Sequence, residues 1–192
     1  MLDQSRPHDT VEGTLGAAHP AQDQMTLHGR FTAICRDAEG QTVWSETFDN
    51  LITTVGKNFL LDQALAGSSY TATEYMGLIS STSFSAVAAG DTMASHAGWL
   101  EAGSANTPTY SGTRNTAAWS AASAGVKALS AGLVFTFTGS GTVQGAFIVG
   151  GTGASSTIGN TAGTLYSAGT LGTPQPVIST NTLTLSYSTT LT

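Results

Sequence analysis

The feature that most constrains this chain is the point at which its charges stop. All twelve Asp and Glu residues lie at or before Glu101, and the 91 residues from 102 to 192 carry only Arg114 and Lys127. A stretch so poor in charge must be largely buried or must face water with hydroxyls and short side chains. The composition supplies the second solution. The chain holds 31 Thr, 21 Ser and 23 Gly, and 9% of its residues are charged, against about 25% in an average soluble domain. Thr-rich, uncharged strand surfaces fit a protein that works outside a cell or inside an assembly better than a free cytoplasmic enzyme.

The same numbers exclude several classes. Six basic residues against twelve acidic ones, a formal net charge of −6, cannot form the Lys/Arg stripe that a nucleic-acid partner requires. No apolar run is long enough for a membrane span. The single Cys35 leaves no disulfide framework and no Cys-rich zinc site. The opening Met-Leu-Asp-Gln-Ser-Arg-Pro-His-Asp lacks the basic and apolar regions of a secretory signal, so folding in a cytoplasm is expected. With 192 residues the chain suits one domain with an appended arm.

Residues 1–24 are polar, contain Pro7 and Pro20, and read as an extended N-terminal arm. A β-sandwich domain is expected over residues 25–192. Leu27, Phe31, Ala33 and Cys35 alternate with polar neighbours, the period of a half-buried strand. A turn at Asp37-Ala-Glu-Gly40 and a return over Thr42–Phe48 complete a hairpin. Tyr75–Ile79 reads as a buried strand, Leu133, Phe135 and Phe137 alternate, and Thr142–Val149 is apolar on both faces. Leu183, Leu185 and Tyr187 mark the last strand. The expectation is all-β: an antiparallel, jelly-roll-like sandwich with one short helix.

That helix is expected over Val55–Ala66, with Thr54 as its cap and Gly67 as its left-handed terminator. Its apolar residues do not form one stripe. Val55, Phe59, Leu60, Leu61, Ala64 and Leu65 surround most of the wheel, as in a helix that packs on more than one side. A thin sandwich can cover only one side, so Val55, Phe59, Leu60, Leu61 and Leu65 form a candidate interface. The expected consequence is a homo-oligomer, a dimer or trimer.

Residues with chemistry are sparse. No Gly-x-Ser-x-Gly elbow occurs, and Gly139-Ser-Gly-Thr-Val-Gln-Gly145 lacks the Lys-Ser/Thr of a phosphate loop and reads as a turn. His96 lies near Asp91 and Glu101, but no second His stands at ligand spacing. Asp91 reads as the cap of one short helical turn, with His96 near its C-terminus. His8 and Glu12 fall in the arm and make no closed site. Trp44, Trp99, Trp119, Tyr70, Tyr75, Tyr110 and Tyr166 could stack on sugars, though aromatics at this frequency usually build cores. Cys35 is in phase with the buried face of its strand. The reading is therefore non-enzymatic: no catalytic residue, no cofactor, no metal.

Three blocks stand in a distinctive order: Asn50-Leu-Ile-Thr-Thr-Val-Gly-Lys-Asn-Phe-Leu-Leu-Asp62, Tyr75-Met-Gly-Leu-Ile-Ser80 and Gly90-Asp-Thr-Met-Ala-Ser-His-Ala-Gly-Trp99. With Arg114, Ala118-Trp-Ser120, Gly163-Thr-Leu-Tyr166 and the terminal Thr-Leu-Thr-Leu-Ser-Tyr strand, residues 40–192 resemble a family of tailed-bacteriophage structural proteins. Within it the chain resembles a head cement or decoration protein. The resemblance implies binding to the major capsid protein on the outer surface of the virion capsid, assembled in the host bacterial cytoplasm. The alternative it leaves open is a neck, tail or fibre component that recognises host-surface glycans. One departure stands before the last strand, where Ser179-Thr-Asn-Thr182 replaces the expected Gly-Asp turn.

Overall fold

The computed structural model describes residues 25–65 and 73–192. The arm expected over residues 1–24, and with it His8 and Glu12, lies outside the described residues, as do Ala66, Gly67 and Tyr70. In chain order the elements are β1 (Leu27–Arg36), β2 (Thr42–Ile52), α1 (Thr54–Leu65), β3 (Tyr75–Ser80), β4 (Leu100–Glu101) and β5 (Asn115–Thr116). After them come β6 (Val126–Ala128), β7 (Leu133–Thr136), β8 (Gly141–Gly150), β9 (Thr164–Val177) and β10 (Thr182–Leu191). Every pairing between them is antiparallel. Among the described residues the architecture is the expected all-β sandwich with a single short helix.

β1 and β2 form the expected hairpin. Its turn is held by Asp37, whose carboxylate accepts the Gln41 N–H at 2.7 Å, and by Gly40 at φ +82°. β10 returns along the other edge of β1, from Leu27 opposite Leu191 to Arg36 opposite Thr182. β6 and β7 share the far edge of β10. β2 then turns the corner between the sheets. Its residues from Trp44 to Asp49 pair with β1, while Asn50–Ile52 pair with Ser167–Gly169 of β9. β9 leads on to β8 and β3, with the short β4 and β5 against β3.

The side chains explain the layers. Phe31, Ala33 and Cys35 of β1, Phe135 of β7 and Leu183, Leu185 and Tyr187 of β10 point inward from the first sheet. They meet Met76 and Leu78 of β3 and Ala146 and Ile148 of β8 from the second. Neighbouring positions on the second sheet are buried too. Ile79, Phe147, Val149, Leu165 and Ala168 pack with Met93 and Trp99 in a second core on the sheet's outer face. β3 and β8 are thus covered on both faces, which is why their sequences run apolar without alternation. The cover on the outer side is a layer of loops, not a third sheet.

Two glycines permit closest approach. A Cβ on Gly145 would lie 2.0 Å from the Gly169 carbonyl oxygen, and one on Gly56 would lie 2.1 Å from that of Tyr166. The second contact seats the first turn of α1 on β9. The expected cap is corrected here: Thr53, not Thr54, caps the helix. The Thr53 hydroxyl accepts the Gly56 N–H at 3.0 Å and donates to the Leu165 carbonyl. Thr54 is already helical. The turn before β10 is also resolved. Thr180 adopts φ +80°, the role a glycine would fill, while Asn181 is buried and its side-chain oxygen accepts the Ile178 N–H at 3.0 Å.

Candidate functional site

The candidate interface centres on α1. Gly56 is its one buried residue. Val55, Phe59 and Leu60 are half-buried, whereas Leu61 is 52% and Leu65 82% exposed. The five residues therefore divide. Phe59 and Leu60 turn toward the sandwich, and Leu61 and Leu65 face solvent. Leu61 and Leu65 stand one helical turn apart, with exposed Lys57, Asn58 and Asp62 beside them.

Beside Phe59 and Leu60 runs a groove of about 460 Å³, whose other walls include Glu74, Trp119, Lys127, Tyr166 and Tyr187. Its floor is braced from below. Trp119 meets Tyr187 edge-on with ring centroids 5.9 Å apart, Tyr187 tilts against Phe31 at 4.7 Å, and Phe31 stacks on Phe48 at 5.3 Å. This ladder ties the groove to the main core, so its rings are held rather than free to rotate. The Trp119 indole N–H donates to the Glu74 carboxylate at 3.3 Å. Asn50 donates to the Tyr187 hydroxyl at 3.0 Å. Burial raises the pKa of both Tyr166 and Tyr187, so their phenols stay neutral. Lys127 enters through β6, where it faces Thr189 across the ladder.

No family model, curated protein or solved structure matches the chain.

The loop layer gathers the residues around His96. Asp91 caps no helical turn, contrary to the expectation. Its carboxylate accepts the Ala88 N–H at 2.9 Å and the Trp99 indole N–H at 3.0 Å. His96 stacks on Trp99 with centroids 3.9 Å apart, and its Nδ1–H donates to the Trp99 carbonyl at 3.0 Å. Trp99 is fully buried and lies against Phe147. Asp91 and His96 thus serve to lock Trp99 over β8.

Sequence reasoning missed the strongest polar contact. Arg114 is 1% exposed and makes two bonds of 2.7 Å to the Glu101 carboxylate. Two further N–H groups reach the carbonyls of Ser155 at 3.0 Å and Asn160 at 2.7 Å, while Glu101 also accepts the Gly159 N–H at 2.7 Å. The guanidinium lies 5.4 Å from the Phe147 ring centre. A signal did exist. Arg114 is one of two charges in the last 91 residues, and Glu101 is the last acid before them.

The remaining candidates are structural. Cys35 is fully buried and its thiol is pushed up to about 11, by burial first and by the Asp37 carboxylate second. Tyr110 is buried against Phe135. Trp44 is half-buried, its indole N–H donating to the Pro176 carbonyl at 3.0 Å. Among the described residues no group of three His, Cys, Asp or Glu is placed to hold a metal ion, and no helix is long and apolar enough to cross a membrane.

Proposed function

We propose that the chain is a non-enzymatic structural protein that binds the outer surface of a bacteriophage capsid as a cement or decoration subunit. The observation that carries the proposal is α1, a helix rooted by Gly56 on β9 that presents Leu61 and Leu65 to solvent. A helix anchored at its first turn, with two exposed leucines set among Lys57, Asn58 and Asp62, is suited to packing against the major capsid protein or a second copy of the chain, as a dimer or trimer. The block order from Asn50 to Tyr187 supports the phage assignment by resemblance. The charge-poor strand surface supports work within an assembly.

The physical task follows from linkage. A subunit that binds only the assembled lattice stabilises that state over free capsomers by RT ln(1 + L/Kd) per site, with L the free subunit concentration. No catalytic geometry is needed, only complementary area across subunit boundaries. The test is localisation. Antibodies raised against the purified chain should label the heads of intact virions at regular spacing under electron microscopy. Labelling confined to the neck, tail or fibres would replace the capsid reading with the alternative one. Absence of the chain from purified particles would end both.

A further inference from the structure

The groove beside α1 has a chemistry that attachment to a capsid does not require. Phe59, Trp119 and Tyr166, each partly exposed, give it aromatic walls above buried Tyr187, yet Glu74 and Lys127 line the same 460 Å³. These two opposite charges form no ion pair with each other; the described ion pairs are Arg30–Asp49 and Glu101–Arg114. Glu74 uses one carboxylate oxygen on Trp119. The groove therefore combines aromatic surface with a carboxylate acceptor and an ammonium donor, and its net charge is zero.

We infer that this groove binds a neutral saccharide. A pyranose ring offers apolar C–H faces to aromatic side chains and a rim of hydroxyls that both donate and accept. Glu74 can accept from such hydroxyls and Lys127 can donate to them, so both charges keep partners when water leaves. An aliphatic chain in the same place would strand both of them, at the cost of desolvation without compensation. A polyanion would meet Glu74, and the chain's net charge of −6 would oppose its approach. The volume falls within the range of small-ligand sites, and the braced floor means little ordering cost on binding. The inference is independent of the capsid proposal, since a sugar site could serve a subunit on the head or on the tail.

The test is an NMR titration of the full-length chain. Its three tryptophans give three indole N–H signals, and Trp119 is assigned by its loss in Trp119→Ala. Cellotriose, chitotriose and maltotriose are added separately to millimolar concentrations. The expected result is a saturable shift of the Trp119 signal with at least one of them, while fully buried Trp99 stays still. Read by isothermal titration calorimetry, because these variants lack the Trp119 indole signal, Trp119→Ala should weaken binding by about tenfold or more, as for an aromatic anchor, and Trp119→Tyr should restore part of it. Glu74→Gln should weaken binding without moving the thermal midpoint. No saturable shift with any of the three sugars overturns the inference. So does binding that ignores both Trp119→Ala and Glu74→Gln, because the site is then elsewhere. A Trp119 signal fully shielded from a soluble paramagnetic quencher in the free protein also overturns it, since the groove is then filled by another part of the chain or by a second copy.

Discussion

Arg114 and Glu101 meet side-on inside the loop layer, with Nε–Oε1 and Nη2–Oε2 both at 2.7 Å. Every other bond their side chains make goes to the backbone of residues 155–160. One ion pair thus fixes three separated segments above Phe147: β4, the approach to β5, and the loop between β8 and β9. Its worth lies in giving every side-chain nitrogen and oxygen of the pair a partner, because a buried charge is tolerated only when paired and hydrogen-bonded.

Removing one partner should therefore be far worse than removing both. Arg114→Met leaves the Glu101 carboxylate buried without its cation and should cost about 3–5 kcal/mol. The double variant Arg114→Met/Glu101→Leu should recover much of that loss. Urea denaturation followed by tryptophan fluorescence measures all three proteins. A double variant as unstable as the single would show that the loops need this pair for shape and not for charge balance.

The close approach at Gly56 supplies a second outcome. A methyl group there would press within 2.1 Å of the Tyr166 carbonyl oxygen, which belongs to a strand and cannot move aside cheaply. Gly56→Ala should destabilise the chain by about 1–3 kcal/mol despite alanine's higher helix propensity. Thermal melts decide this. A neutral or stabilising effect would mean that α1 does not sit on β9 as described.

Some of this was legible in the residues and some was not, for physical reasons. β1, β7 and β10 alternate because each buries one face only, so their period of two survives in the sequence. β3 and β8 are buried on both faces. Their apolar runs showed burial but not what covers the outer side, since loops 81–99 and 151–163 carry no periodicity. The irregular wheel of α1 showed that no single stripe would be buried. It could not show that Phe59 and Leu60 turn inward while Leu61 and Leu65 do not. The pairing of Glu101 with Arg114, and of Asp91 with Trp99, joins loop residues at spacings that match no regular element. Trp119 and Tyr166 were visible as aromatics, but the groove between them exists only once α1, β6 and β9 come together.

Thr180 offers a stabilising change. Its φ of +80° is costly for a β-branched residue, and its side chain is exposed. Thr180→Gly relieves that strain, at about 1–2 kcal/mol, and loses part of the gain to the greater freedom of the unfolded chain. The expected net effect is about 0.5–1 kcal/mol of added stability, read as a higher midpoint in urea. A lower midpoint would mean that Asn181 alone sets the turn.

Alkaline pH should act through Cys35. Its thiol is raised from 9.0 to about 11 in the folded chain. A group raised on folding contributes stability that is complete below its unfolded value and is lost as pH climbs through the folded one. Tyr110 and Tyr187, both raised by burial, act in the same direction at higher pH. The thermal midpoint should therefore fall from about pH 9 upward, and Cys35→Ala should delay the first part of that fall. Identical profiles for the two proteins would remove Cys35 as the cause.

The outer side of α1 carries the last outcome. Leu65 is 82% and Leu61 52% exposed, so replacing them should change folding stability by no more than about 1 kcal/mol. If they belong to the proposed interface, the same replacements should act strongly on association. Leu61→Glu/Leu65→Glu places two carboxylates where apolar contact is required, and a desolvated unpaired charge opposes binding more than a lost methyl group does. The double variant should melt like the parent chain yet sediment as a smaller species or fail to co-sediment with capsids. A variant that melts normally and still assembles and decorates particles like the parent would place the interface elsewhere on the sandwich.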